Sequence, residues 1–204
     1  MRIWSYDQLI SGAQPGHLIL IGGLARLGKS TLAHSIAEGL KCRDLTSVIV
    51  SLDRWIRSFD DRGKPGVENR FDLDAVRSTF APWLADRRDV VASLPRYDRV
   101  ARKNYSNSDD VMLSSDSILI LEGVPALLLQ VETKRPICRI YVTGREELRK
   151  QRVVTDLIAR GMQAEDEAHK VYESREVDEA PLIRSTQTLA DFIVTFDWGC
   201  CSVE

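Results

Sequence analysis

Four cysteines and three histidines are spread over 204 residues, too few and too scattered for a disulfide scaffold or a histidine–cysteine metal centre. Cys42, Cys138, Cys200 and Cys201 show no paired-ligand spacing, and His17, His34 and His169 stand far apart. Charge of one sign is also missing: 28 Lys and Arg face 30 Asp and Glu, a formal net charge of -2. Such a balance argues against a general nucleic-acid surface and leaves small acidic ligands as partners. No apolar run is long enough to span a bilayer, and the first residues lack a basic stretch followed by a long apolar one. Repeats, low-complexity tracts and linkers are absent as well. These absences lead us to expect a soluble, cytoplasmic chain with no membrane and no nucleic-acid partner. Its length suits one α/β domain over residues 1–204. Homo-oligomerisation is open, since nothing in the sequence reads on it.

What is present centres on Gly23-Leu24-Ala25-Arg26-Leu27-Gly28-Lys29-Ser30-Thr31, which matches G-x-x-x-x-G-K-[ST] at every fixed position. In such a loop the backbone N–H groups of Gly23 to Thr31 curl around phosphate oxygens. Lys29 brings a charge to the terminal phosphates and the Ser30 hydroxyl can ligate Mg²⁺. The context is right: the apolar run Leu18 to Ile21 precedes the loop, and Leu32, Ala33, Ile36 and Leu40 follow at helical spacing. Arg26 and Leu27 stand where small residues are common. For Arg26 two roles stay open, a phosphate contact or a solvent-facing side chain.

Further along, Ser47 to Leu52 reads as a second buried strand with Asp53 at its tip, and Ser117 to Leu121 as a third that delivers Glu122. Acids at the carboxyl ends of parallel strands face the same crevice as the phosphate loop, and Glu122 is placed like a Walker-B carboxylate. Residues 57 to 70 read as a loop. Leu73 to Leu84 reads as a helix that Asp72 could cap and Pro82 bends or ends. A short strand-like segment, Val90 to Leu94, precedes a polar stretch to about Asp110 that reads as a second loop. Ile137 to Val142 is a strand, Arg145 to Arg160 a helix stopping at Gly161, 163 to 188 further helix, and Asp191 to Phe196 a last strand. Arg149, Arg152, Asp156 and Arg160 share one face of their helix.

Several motifs in one order, from about Leu18 to Phe196, resemble the uridine kinase and phosphoribulokinase group of P-loop kinases. They are GLARLGKST, SLDRW around Asp53, NRFDLDA at Asn69 to Ala75, PRYDRVAR at Pro95 to Arg102, ILILEGVPAL at Ile118 to Leu127, and LRKQRVVTDLIARG at Leu148 to Gly161. The resemblance implies the P-loop NTPase fold: a mostly parallel five-stranded sheet flanked by helices, with a small helical lid at about 145–176. It implies ATP and Mg²⁺ as cofactors and a small-molecule hydroxyl acceptor as partner. Asp53 becomes the catalytic base, Glu122 joins Ser30 around the metal, and Phe71, Asp72 and Tyr97 fall in the acceptor site. Arg149, Arg152 and Arg160 become lid arginines, of which at least two act on the phosphates.

Departures from the pattern bear on the acceptor. In uridine kinases the positions of Arg99 and Arg102 carry an aromatic residue and a histidine that help select the base. Ile56 replaces a tyrosine, and Thr155 takes a lid position that is commonly arginine. A pyrimidine nucleoside is therefore not the expected substrate; an anionic acceptor held by Arg99 and Arg102 is. The rival reading is a nucleotide-binding ATPase or switch without a small acceptor, for which no N-K-x-D guanine pattern is present.

Overall fold

The computed structural model describes residues 6–85, 88–160, 165–197 and 200–203. Its central strands are β1 (Leu18–Gly22) and β5 (Ile118–Glu122), both buried at every position. Uninterrupted Leu and Ile runs of this kind suit strands covered on both faces, as parallel sheets are. With β2 (Ser47–Ser51), β6 (Ile137–Thr143), β7 (Phe192–Asp197) and β8 (Cys200–Val203) they form a sheet in the order β2-β5-β1-β6-β7-β8. The first five are parallel, as expected, and β8 adds an antiparallel edge strand that the sequence reading did not contain.

Parallel pairing fixes the site. Ile21 lies opposite Glu122, Ser51 opposite the same Glu122, and Gly22 opposite Tyr141, so the carboxyl ends of β1, β2, β5 and β6 finish side by side. Helix α1 (Tyr6–Gly12) packs near α2 (Lys29–Lys41), which turns Leu32, Ala33, Ile36 and Leu40 inward. A four-residue helix, α3 (Val67–Arg70), interrupts the stretch expected to be loop, and α4 (Leu73–Ala85) follows. Asp72 caps α4 as expected, its Oδ1 accepting from the Ala75 N–H at 3.1 Å. The helix continues through Pro82 to Ala85. Pro82 and Ser78, whose carbonyl loses its partner there, are both exposed, so water can satisfy the break.

The polar stretch expected as a loop is a hairpin: β3 (Val90–Asp98) pairs antiparallel with β4 (Lys103–Leu113), with a register shift between Leu94 and Arg96. Only its base is buried, through Ala92, Leu94 and Leu113. Side-chain bonds tie it to the segment after β2. Asn104 Nδ2 donates to the Arg54 and Ile56 carbonyls, both at 2.7 Å, and Ser58 Oγ accepts from the Asn104 N–H at 3.1 Å.

Helices α5 (Glu146–Ala159) and α6 (Glu165–Asp178) stand beside the sheet edge, followed by α7 (Ala180–Ser185). Val153, Val154, Leu157, Ala168 and Tyr172 make a small core of their own, separate from the main one, which meets the phosphate loop at Ala25. The helix stop expected at Gly161 lies outside the described residues. None of the helices, among the described residues, is long and apolar enough to cross a membrane.

Candidate active site

The loop from Gly23 to Gly28 depends on two glycines. Gly23 sits at φ +129°, where a Cβ would stand 2.3 Å from the Val142 carbonyl oxygen, and Gly28 at φ +92° with the Phe196 ring 3.2 Å from such an atom. Only a residue without a Cβ takes both the backbone angle and the close approach. Gly28 is the N-cap of α2 and supplies no side-chain cap, which leaves the first N–H groups of α2, from Lys29 to Thr31, for an anion. Ser30 and Thr31 are exposed there.

Lys29 is buried and reaches back across the loop to donate to the Leu24 carbonyl at 2.7 Å. Burial pushes its ammonium down to about 8 from the usual 10.5, although the charges of Glu122 and Asp53 hold it up. That ordering has a pH consequence. Between about 8 and 10.5 the unfolded chain carries the proton and the folded one does not, so Lys29 makes stability rise with pH across that window. For a phosphate held by this ammonium the dependence would run the other way, its affinity weakening by up to about tenfold per pH unit above the folded pKa. Calorimetry near pH 9 in buffers of different ionisation enthalpy should register proton uptake on binding, and Lys29→Ala should remove it.

The two large loop residues have partners. Leu27 is buried against Gly144, and Leu24 is buried as well. Arg26, at φ +65°, turns outward to Asp156 on α5, and Asp156 also pairs with Arg160 at 2.7 Å. Arg26 is exposed, and through Asp156 it links the phosphate loop to α5.

Opposite Lys29, Glu122 is buried at the end of β5, while Asp53 follows β2 in a short 3-10 turn and is half-exposed. Arg99 Nη2 donates to Asp53 Oδ2. The hairpin tip presents that arginine because Asp98 Oδ1 accepts from the Val100 and Ala101 N–H groups at 2.8 and 2.9 Å, a local side-chain turn. These same bonds lower the Asp98 pKa. Arg102, at φ +53°, ends the tip with its guanidinium 5.0 Å from the centre of the Phe59 ring.

A crevice of about 1000 Å³ runs from Asp53 between the hairpin tip, the segment 59–66 and helices α5 and α6. Tyr97, Arg99, Arg102 and Arg160 line it together with Asp53. The other expected residues fall elsewhere. Phe71 is 1% exposed and bridges to Ile56 beneath the crevice. Asp72 is occupied with the α4 cap and with Arg57 at 3.5 Å. Arg149 is turned into the helix pair, where Glu146, Glu176 and the Tyr172 hydroxyl hold it. Those carboxylate bonds raise its pKa in spite of burial, and its charge is still felt at Lys29. Arg152, one turn on, is half-buried. Sequence reasoning missed Arg62, Arg70 and Arg175, which also line the crevice. Arg62 and Arg175 sit outside the motifs and Arg70 within NRFDLDA, where its neighbours Phe71 and Asp72 stood out instead; the fold brings all three to the wall.

No protein-family model matches the chain, and no curated protein matches it. Solved structures do. The protein from Silicibacter sp. TM1040 named for a fructose transport system kinase is 17% identical over 91% of this chain and 92% of its own, with a TM-score of 0.63. One from Bacillus stearothermophilus, named for a uridine kinase, is 20% identical over 94% and 96%, with a TM-score of 0.56. The D-glycerate 3-kinase of Cryptococcus neoformans var. grubii serotype A is 12% identical over 93% and 90%, at 0.59. The chain has the P-loop NTPase fold that these structures share. At these identities the likeness carries the architecture; a P-loop kinase fold hosts several acceptors, and chemistry has to be argued from the site.

Proposed function

We propose that this chain with the P-loop NTPase fold is a phosphotransferase that moves the γ-phosphoryl group of ATP to a hydroxyl of a small nucleoside-like or sugar-like acceptor. One observation carries the reading. A buried lysine and two carboxylates follow three adjacent strands, within electrostatic reach of one another, and Asp53 among them lines a crevice large enough for a second substrate. The names of the similar structures, which include a uridine kinase and a D-glycerate 3-kinase, support an alcohol acceptor.

Phosphoryl transfer needs placement and charge neutralisation more than covalent chemistry. In this reading the N–H groups of the loop and of the first turn of α2 cradle the phosphates. Lys29 lies along their terminal oxygens, and Asp53 orients the acceptor hydroxyl and takes its proton. Arg99 holds the Asp53 carboxylate in place until the hydroxyl arrives. Ser30 and Glu122 would hold Mg²⁺. An exposed hydroxyl on α2 and a buried carboxylate at the neighbouring strand end suit a cation that keeps several waters and phosphate oxygens in its shell. When bound, that ion neutralises phosphate charge. Helices α5 and α6 act as the lid. Arg160, paired with Asp156 beside Arg26, is the arginine we place over the phosphates, with Arg152 behind it and Arg149 bracing the two helices.

Acceptor-dependent ADP release tests the proposal. Purified protein with ATP and Mg²⁺ is screened against nucleosides, sugars, hydroxy acids and their phosphate esters. Turnover that rises only with one acceptor class supports the kinase reading; turnover indifferent to every alcohol supports an ATPase or switch.

A further inference from the structure

The crevice is far more basic than the chain as a whole. Eight Lys and Arg side chains line it against four carboxylates, whereas the full sequence carries a slight acidic excess. Several of these cations are accounted for. Arg99 is paired with Asp53, Arg70 with both oxygens of Glu179 at 2.8 and 2.9 Å, and Arg160 with Asp156. Arg62, Arg102 and Arg175 have no carboxylate partner among the described residues.

Arg102 is exposed at the hairpin tip, whereas Arg62 is half-buried. Arg62 donates to neutral oxygens, the Arg57 carbonyl at 2.9 Å and the Tyr97 hydroxyl at 2.6 Å. Its guanidinium lies 5.7 Å from the centre of the Phe59 ring, and that of Arg102 lies 5.0 Å from the same centre. One aromatic side chain therefore gathers two guanidiniums without neutralising either. Arg175 comes from α6 on the facing wall. It is half-buried, and its guanidinium donates no hydrogen bond among the described residues. Burial and the positive charges of Arg70, Arg160 and Arg62 push its pKa down to about 10, with Glu179 opposing. Three guanidiniums without a paired carboxylate around one cavity give it a positive potential that a bound anion would neutralise.

We infer that Arg62 and Arg102 on the body and Arg175 on α6 form an anion subsite that takes a phosphate monoester of the acceptor, away from the hydroxyl that is phosphorylated. The inference rests on the kinase reading and makes it more specific. A doubly charged group with three acceptor oxygens suits three separate guanidiniums better than a single carboxylate does. Because two anchors belong to the body and one to α6, the acceptor itself ties the two walls together. The anchors differ from those the sequence points to: Arg102 stays, and Arg175 and Arg62 take the place of Arg99, which serves Asp53.

Matched pairs test this: ribose and ribose 5-phosphate, glycerol and glycerol 3-phosphate, uridine and its 5′-monophosphate, with glycerate as a carboxylate. Each is assayed for ADP release and titrated calorimetrically into protein saturated with ADP. At least one phosphate ester should bind and react better than its neutral partner. Arg175→Gln should raise its KM roughly 10- to 100-fold with ATP KM unchanged, and Arg175→Lys should recover part of the loss. A neutral compound or glycerate as the best acceptor, with Arg175→Gln silent, overturns the subsite while leaving the kinase reading standing. ATP turnover that no acceptor stimulates, together with no differential binding in calorimetry, overturns both.

Discussion

Lys29→Ala should abolish useful turnover, cutting phosphoryl transfer by roughly 10²- to 10³-fold or more, the usual scale for losing a preorganised charge at the transferring group. The reason lies in how the ammonium is held. It is buried, fixed by the Leu24 carbonyl at 2.7 Å, and set between Glu122 and Asp53, whose charges keep it protonated against burial. Neither solvent nor another lysine can replace it there. Removing it also relieves a desolvation cost, so the variant is expected to fold, and a thermal melt at least as high as the parent's would separate loss of chemistry from loss of structure. Near-normal turnover in the purified variant would remove Lys29 from the site.

Asp53→Asn should separate binding from chemistry. The amide oxygen can still accept from Arg99, so the hairpin tip keeps its position, and Asp53 is not needed to cradle ATP. ATP affinity by calorimetry should therefore be close to the parent's. Acceptor phosphorylation should fall by roughly 10²- to 10⁴-fold, the range for losing a general base. Loss of ATP binding with intact turnover at saturating ATP would assign Asp53 to the nucleotide instead.

The sheet was legible because its signal is redundant. Leu18 to Ile21 and Ile118 to Leu121 are buried on both faces, so every residue in them is apolar. Of the hairpin only the start of β3, Val90 to Leu94, was legible. In β4, Lys103, Tyr105, Ser108, Asp109 and Asp110 are exposed, and among its described side chains only Leu113 at the base is fully buried, so little alternates over most of its length. Pro82 does not end the helix, since an exposed carbonyl tolerates the missing N–H that a buried one would not. At the site, Lys29, Asp53 and Glu122 announced themselves through the strand ends that deliver them. Arg175 sits on a helix with charges on most faces, from Glu165 to Asp178, where no periodicity distinguishes one arginine from another. Its role follows from burial and from Arg62 and Arg70 nearby, which lie more than a hundred residues earlier.

The central claim is that ATP's terminal phosphoryl group goes to an alcohol and not to water. The most direct measurement follows label from γ-³²P-ATP in the presence of the best acceptor from the screen. One labelled phosphate ester should form for each ADP, with labelled inorganic phosphate at background and no ADP release when the acceptor is omitted. Label appearing only as inorganic phosphate, at the same rate with or without acceptor, would contradict it.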